Sequence, residues 1–133
     1  MKILLDTNAY SAAVRGDKRV IRRIRDAETI YLSMVVIGEL LAGFRHGRRE
    51  AMNRERLSFF LEDPDVKPLP ILYETAEHFA GIWSELRSKG RPIPTNDMWI
   101  AAHARQVGAE LLTFDRHFEE VGGLLWSRLE SYG

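Results

Sequence analysis

Met1-Lys2-Ile3-Leu4-Leu5-Asp6-Thr7-Asn8-Ala9-Tyr10 is the stretch whose reading decides the fold. Ile3, Leu4 and Leu5 form a short apolar run, which predicts a strand buried on both faces of a parallel sheet. Asp6 follows at once, then Thr7 and Asn8, residue types that favour turns and helix caps. A strand, an acid at its carboxyl end and a helix start is where open α/β sheets place their ligand chemistry. A carboxylate beside a buried strand is costly unless it is paired, hydrated or bound to metal. One such acid is accounted for as a cap of the first helix. Three more in comparable positions are not so easily absorbed.

Outward from that strand the chain alternates β and α signals, without a linker or an internal repeat. Short helices are expected from Asn8 to Val14 and from Gly16-Asp17 to about Arg25. Thr29–Ser33 is strand-like by its β-branched and aromatic content. Helices follow over about Met34–Phe44, stopped near Gly47, and roughly Arg48–Leu61. Asp63-Pro64 breaks the chain before a short strand, Val66–Leu69. From Leu72 to about Lys89 an amphipathic helix is expected to turn Ala76, Phe79, Ala80, Trp83 and Leu86 inward. A last helix, Asn96–Val107, ends at Gly108, followed by a strand at Glu110–Thr113 and a weaker one near Leu124–Trp126. The alternation predicts an α/β fold in three layers, a mostly parallel sheet with helices on both faces.

A chain of 133 residues with 45% hydrophobic and 29% charged content suggests one ordinary globular domain. It has no cysteine, which excludes disulfides and thiolate metal sites and suits a cytoplasmic protein. No apolar run approaches the roughly 20 residues that span a bilayer, so no membrane is expected as partner. Asp6 interrupts any signal-peptide core. Nineteen basic and nineteen acidic residues cancel, yet they are segregated. Arg15, Lys18, Arg19, Arg22, Arg23 and Arg25 crowd one segment; Arg45, His46, Arg48, Arg49, Arg54 and Arg56 crowd another. Solvated helix faces explain such runs, and so would contact with a phosphate backbone or an acidic partner.

The acids speak more clearly. Val36, Glu39, Leu40 and Gly43 share a helix face, as do Asp97, Ile100, Ala101 and Ala104. Asp115 follows the strand Glu110–Thr113 by two residues and repeats the arrangement of Asp6. Alone, Asp97 reads as a helix-dipole contact worth roughly 0.3–1 kcal/mol. Together, four converging carboxylates would repel one another and some would hold protons. A hard divalent cation removes that repulsion, and Mg²⁺ or Mn²⁺ is the natural occupant. Mg²⁺ commonly bridges carboxylates to phosphate, so the set points to phosphoryl chemistry with a metal-activated water. Asn8 and Thr113, beside two of the acids, are suited to orienting carboxylates or a water.

Asp6-Thr7-Asn8 after an apolar strand, Gly38-Glu39-Leu40, Asn96-Asp97-Met98-Trp99-Ile100-Ala101-Ala102 and Thr113-Phe114-Asp115-Arg116-His117-Phe118 resemble the PIN-domain motifs. More closely, they are similar to the VapC type, the ribonuclease toxin of bacterial and archaeal toxin–antitoxin pairs. The resemblance covers essentially the whole chain, 1–133, as one PIN-like domain. It implies Asp6, Glu39, Asp97 and Asp115 as metal-binding and catalytic acids, with Thr7, Asn8 and Thr113 near them. It implies Mg²⁺- or Mn²⁺-dependent endoribonuclease activity on an RNA, and a cognate VapB-like antitoxin as partner. Arg15, Arg19, Arg22, Arg45, Arg48 and Arg49 are the candidates to contact RNA or that partner. An antitoxin arginine suits the acidic pocket, and its apolar residues a groove between the helices at Met34–Phe44 and Arg48–Leu61. A homodimer is also expected, through a patch in which Tyr73 and Ile82 flank Phe79 and Trp83.

Rival readings have less support. A dehalogenase-like phosphotransferase wants an acid where Asn8 stands, and GxxxxGK[ST], GxGxxG and HExxH do not occur. His46, His78, His103 and His117 read as scattered surface histidines rather than an acid–base pair. A non-catalytic PIN-like module that only grips RNA or protein, and a stand-alone RNA-processing nuclease, stay open as alternatives.

Overall fold

Ile3, Leu4 and Leu5 lie in the central strand of the sheet, and all three are almost wholly inaccessible. The computed structural model describes residues 1–129. Residues 130–133, on which the end of the expected 1–133 domain falls, lie outside the described ones. In chain order the elements are β1 (Lys2–Leu5), α1 (Thr7–Val14), α2 (Lys18–Asp26), β2 (Thr29–Ser33), α3 (Met34–His46) and α4 (Glu50–Glu62). Then come β3 (Val66–Leu69), α5 (Tyr73–Lys89), α6 (Thr95–Val107), β4 (Glu110–Thr113), a 3₁₀ turn (His117–Glu120) and β5 (Trp126–Arg128).

The five strands are ordered β3-β2-β1-β4-β5 and every pairing is parallel. A strand inside such a sheet is covered on both faces, which is why β1 and β4 read as unbroken apolar runs rather than alternations. Leu4 pairs with Leu111 and Leu5 with Leu112, all four at zero exposure. From β1 the chain steps outward to β2 and β3, then returns across the sheet to β4. Right-handed crossovers therefore lay α1–α4 on one face and α5 and α6 on the other. The direction reverses between β1 and β4, and the crevice outside their carboxyl ends is the topological switch point.

Local chemistry sets the element ends. Asp6, Asp17 and Ser33 cap α1, α2 and α3, each accepting from a backbone N–H of the first turn. Gly108 closes α6 in the left-handed conformation (φ 67°), which turns the chain directly into β4. Two boundaries differ from expectation. Arg48 and Arg49 belong to the turn before α4, and β5 begins at Trp126, after the turn that holds Leu124 and Leu125. A strand of three residues is too short to show a period, so the apolar pair misplaced it.

Helix α5 is rotated relative to the expected face. Its buried positions are Thr75, Ile82 and Leu86, while Ala80 is exposed and Trp83 is 45% exposed. Alanines add little apolar area, so Ala76 and Ala80 do not steer the helix and the branched Ile82 does. Phe79 stacks on Trp99 with ring centroids 4.0 Å apart. Ile82 is thus core, and it drops out of the patch expected around Tyr73 and Trp83.

His103 is a second correction, since it is fully buried in α6. Its Nε2 lies 3.0 Å from the Pro70 carbonyl and its Nδ1 2.9 Å from Ser33 Oγ. A carbonyl only accepts, so Nε2 carries the proton and Nδ1 accepts from Ser33. Burial depresses the pKa, and the neutral ring ties α6 to the β2–α3 junction and to the segment before α5. The α5 register has a direct check in chemical denaturation. Ile82→Ala should lower unfolding free energy by about 2–5 kcal/mol, whereas Ala80→Ser should change it by less than about 0.5 kcal/mol.

Candidate functional site

Asp6 leaves β1 at the switch point, and its backbone N–H still bonds Leu112 O (3.0 Å) as a continuation of the sheet. The side chain is 4% exposed and is held on both oxygens. Thr7 N–H donates to Oδ1 at 2.9 Å and Thr113 Oγ1 donates to Oδ2 at 2.6 Å. Thr113 Oγ1 also accepts from Asp115 N–H (3.0 Å), so one hydroxyl at the end of β4 positions two acids. Asn8 Oδ1 accepts from Phe114 N–H (3.2 Å) and fixes the loop after β4 to the start of α1.

Glu39 enters from α3. Its Oε1 accepts from Thr7 Oγ1 at 2.6 Å and its Oε2 from Asn96 Nδ2 at 3.4 Å. Thr7 therefore links Glu39 to Asp6. Asp97 sits in the first turn of α6, 8% exposed, and Asp115 lies partly open on the loop after β4. His117 Nδ1 is 2.8 Å from Asp97 Oδ2 and 3.7 Å from Asp115 Oδ1. One ligand atom each from Asp97, Asp115 and His117 fall within 4.8 Å of one another. Asp6 and Glu39 adjoin this group rather than join it at that distance.

The charges interact as the packing implies. Burial pushes the Asp6 pKa up to about 6, against the pull of the Thr113 and Thr7 bonds, and the Asp97 and Asp115 charges push the same way. Burial also raises the Asp97 pKa; the His117 bond opposes that, while the Asp115 and Glu39 charges add to it. None of the four acids pairs with lysine or arginine among the described contacts. Oxygen donors in excess with one imidazole suit a hard or borderline divalent cation, and crowded carboxylates of raised pKa are what such an ion would relieve. Asn96 has no role in the sequence reading, and His117, which reads there as a scattered surface histidine, is corrected: its Nδ1 meets Asp97 and lies near Asp115. The signal for His117 was its place two residues beyond Asp115, where a tight turn returns the side chain to the acid.

The arginines divide. Arg19 bridges Asp17 (2.9 Å) and lies 5.9 Å from the Phe114 ring centroid. With Arg15, Lys18 and Phe114 it lines a hollow of about 520 Å³, in which Phe114 is the residue that precedes Asp115 in the chain. Arg22 is exposed on α2, while Arg23 of the same segment is committed to Glu110. Arg45 lies in the last turn of α3, Arg48 and Arg49 occupy the segment that follows, and all three are exposed without a described contact to the acids. The hollow touching both α3 and α4 is small, about 160 Å³. A hollow of about 680 Å³ is bounded by α1, α2 and α4, lined chiefly by Tyr10, Val14, Ile24, Phe59 and Phe60, and contains none of the four acids.

Residues 3–124 match the PIN domain family model. The tRNA(fMet)-specific endonuclease VapC of Shigella flexneri is 31% identical over 127 residues, covering 93% of this chain and 95% of the relative. Among solved structures, VapBC2 of Rickettsia felis, bound to a DNA fragment from its promoter, shares the fold with a TM-score of 0.87. That match has 24% identity and covers 98% of this chain and 100% of the other. DNA-bound VapBC of Salmonella typhimurium matches with a TM-score of 0.83 and 26% identity, covering 96% and 98%.

The buried carboxylate has a thermodynamic signature. A folded pKa of about 6 against 3.8 means that the folded state binds the extra proton between those values. Stability therefore falls as pH rises through that window, by at most about 3 kcal/mol, and the deficit persists at neutral pH. Asp6→Asn should raise the unfolding free energy of the EDTA-treated protein by about 1–2 kcal/mol at pH 7.5, with the gain shrinking below pH 6. His103, whose shift comes from burial and the Pro70 bond, titrates alike in both proteins and cancels in the difference, whereas relief of the Asp6–Asp97 repulsion adds to the gain. Paired denaturation curves from pH 4.5 to 8 provide the measurement.

Proposed function

This chain belongs to the PIN-domain family, among the VapC ribonucleases, and we propose that it is a divalent-metal-dependent endoribonuclease acting as the toxin of a toxin–antitoxin pair. We read 1–133 as one such domain, acting in the cytoplasm. The observation that carries the reading is the set of four acids at the β1/β4 switch point, buried or half-buried and without a lysine or arginine partner among the described contacts.

In this reading Asp6, Glu39, Asp97 and Asp115 bind one or two Mg²⁺ or Mn²⁺ ions, while Thr7, Asn8 and Thr113 hold the acids in place. A bound ion supplies an acidified water and positive charge for the phosphate oxygens. Asp6 and Asp97 contribute negative charge that water does not screen, so a cation gains more from them than from surface acids. Arg15 and Arg19 flank the hollow of about 520 Å³ with the Phe114 ring, a combination suited to a phosphate and a stacked base. Arg22, Arg45, Arg48 and Arg49 serve as peripheral contacts to RNA or to the partner. Attack by water at phosphorus breaks the bond to the 3′ oxygen and leaves 3′-hydroxyl and 5′-phosphate ends. On this basis Asp6→Asn and Asp97→Asn should each lower cleavage of a mixed RNA pool at least about 10²-fold. EDTA should abolish cleavage and Mn²⁺ or Mg²⁺ restore it, with sequencing of the cut ends showing 5′-phosphates. Wild-type activity in both variants, or full activity in EDTA, would overturn the metal-dependent reading, whereas no cleavage by the wild type with either ion would leave only a binding module.

A VapB-like antitoxin is the proposed partner. Its apolar residues suit the 680 Å³ hollow beside α4, and an arginine suits the carboxylate cluster because a planar guanidinium meets carboxylates two at a time. The free protein is proposed to be a homodimer through the exposed Tyr73 and Trp83 of α5. Expression of the chain alone should arrest growth and Asp6→Asn should not. Co-expression with the neighbouring small reading frame should restore growth and yield a co-purifying complex. Light scattering of the free protein at tens of micromolar should give twice the 15.3 kDa chain mass.

A further inference from the structure

We propose that His117 is a nitrogen ligand of the ion held by Asp97 and Asp115, and that it tilts this site toward Mn²⁺ over Mg²⁺. The inference rests on the metal-dependent reading above and deepens it. Three observations carry it. The ring is aimed: its Nδ1 stands 2.8 Å from Asp97 Oδ2 and 3.7 Å from Asp115 Oδ1. An octahedral ion with bonds near 2.1 Å sets adjacent ligand atoms about 3 Å apart and opposite ones about 4 Å apart, so the Asp97 separation suits a neighbour on one ion and the Asp115 separation lies between the two. The ring is also anchored. His117 opens the 3₁₀ turn, and the next residue, Phe118, is at zero exposure in the core, which holds the turn against the body of the protein. Finally, the ring is accessible, 47% exposed, and its Nε2 has no protein partner among the described residues.

The chemical consequence follows from donor type. Asp6, Glu39, Asp97 and Asp115 offer only oxygen, which Mg²⁺ accepts while keeping most of its waters. Imidazole nitrogen suits the first-row transition ions better, and one such donor shifts preference toward Mn²⁺. To coordinate, the ring binds as the neutral tautomer that carries its proton on Nε2, leaving Nδ1 to the ion, and the Asp97 hydrogen bond is replaced by shared ligation. The competing role is a plain hydrogen bond in which Nδ1 keeps its proton and only positions Asp97.

Pulsed electron paramagnetic resonance of the intact protein loaded with Mn²⁺ separates the two. Directly coordinated imidazole imposes a ¹⁴N modulation on the Mn²⁺ echo, expected in wild type and absent in His117→Ala and His117→Asn. Calorimetric titration should show Mn²⁺ affinity falling on the order of tenfold in both variants, with Mg²⁺ affinity changing about twofold or less. No nitrogen modulation in wild type, or equal losses for both ions, overturns the role of His117. In that case, abolition of Mn²⁺ binding by Asp97→Asn leaves the four-acid reading standing. Mn²⁺ binding indifferent to both Asp97→Asn and His117→Ala overturns the two together.

Discussion

A carboxylate at the end of a buried central strand must either be given hydrogen bonds or give up its charge, and the molecule is arranged around that constraint at Asp6. Two threonines meet it. Thr113, on the neighbouring strand, donates to one oxygen, and Thr7, the next residue in sequence, donates its backbone N–H to the other. Because those donors come from β4 and α1, the Asp6 bonds also fix strand register and helix start. The same two residues then serve Asp115 and Glu39, so the geometry of one acid propagates to the others.

Strand β4 shows how differently the two ends of this sheet treat an acid. Glu110 starts the strand and is met by the Arg23 guanidinium and the Ser127 hydroxyl, which hold its carboxyl below the usual range despite partial burial. Asp115, beyond the other end, faces a half-exposed histidine and two further acids. At the amino end the charge is neutralised within the protein; at the carboxyl end it is left for something else to neutralise. That asymmetry separates an ion pair of the fold from a site.

Much of the architecture was legible because parallel sheets write their interior strands as continuous apolar runs, as β1 and β4 do, and because β-branched and aromatic content marks β2. The four acids were legible for a related reason: each interrupts an apolar pattern at a strand end or on an inward helix face. What stayed hidden depended on three-dimensional partners. The rotation of α5 turns on whether Ile82 or Ala80 faces the core, which helical spacing alone does not fix. His103 looked like any other histidine until Ser33 and Pro70 closed around it. His117 required knowledge that the chain tightens into a 3₁₀ turn after Asp115, and four residues are too few to show that.

The outer strand β3 carries Val66-Lys67-Pro68-Leu69, and its hydrogen-bond directions have a consequence for self-association. Asp65 O accepts from Ile30 N (2.8 Å), so by two-residue alternation Val66 and Pro68 turn their backbone away from β2. Val66 N–H is already spent on Asp63 O (3.0 Å), and Pro68 has no N–H to offer. The rim of the sheet at β3 is thus a row of acceptors without donors, and a foreign strand would find nothing there to bond its carbonyls. Growth of the sheet from molecule to molecule, the route by which open parallel sheets aggregate, is closed on that side.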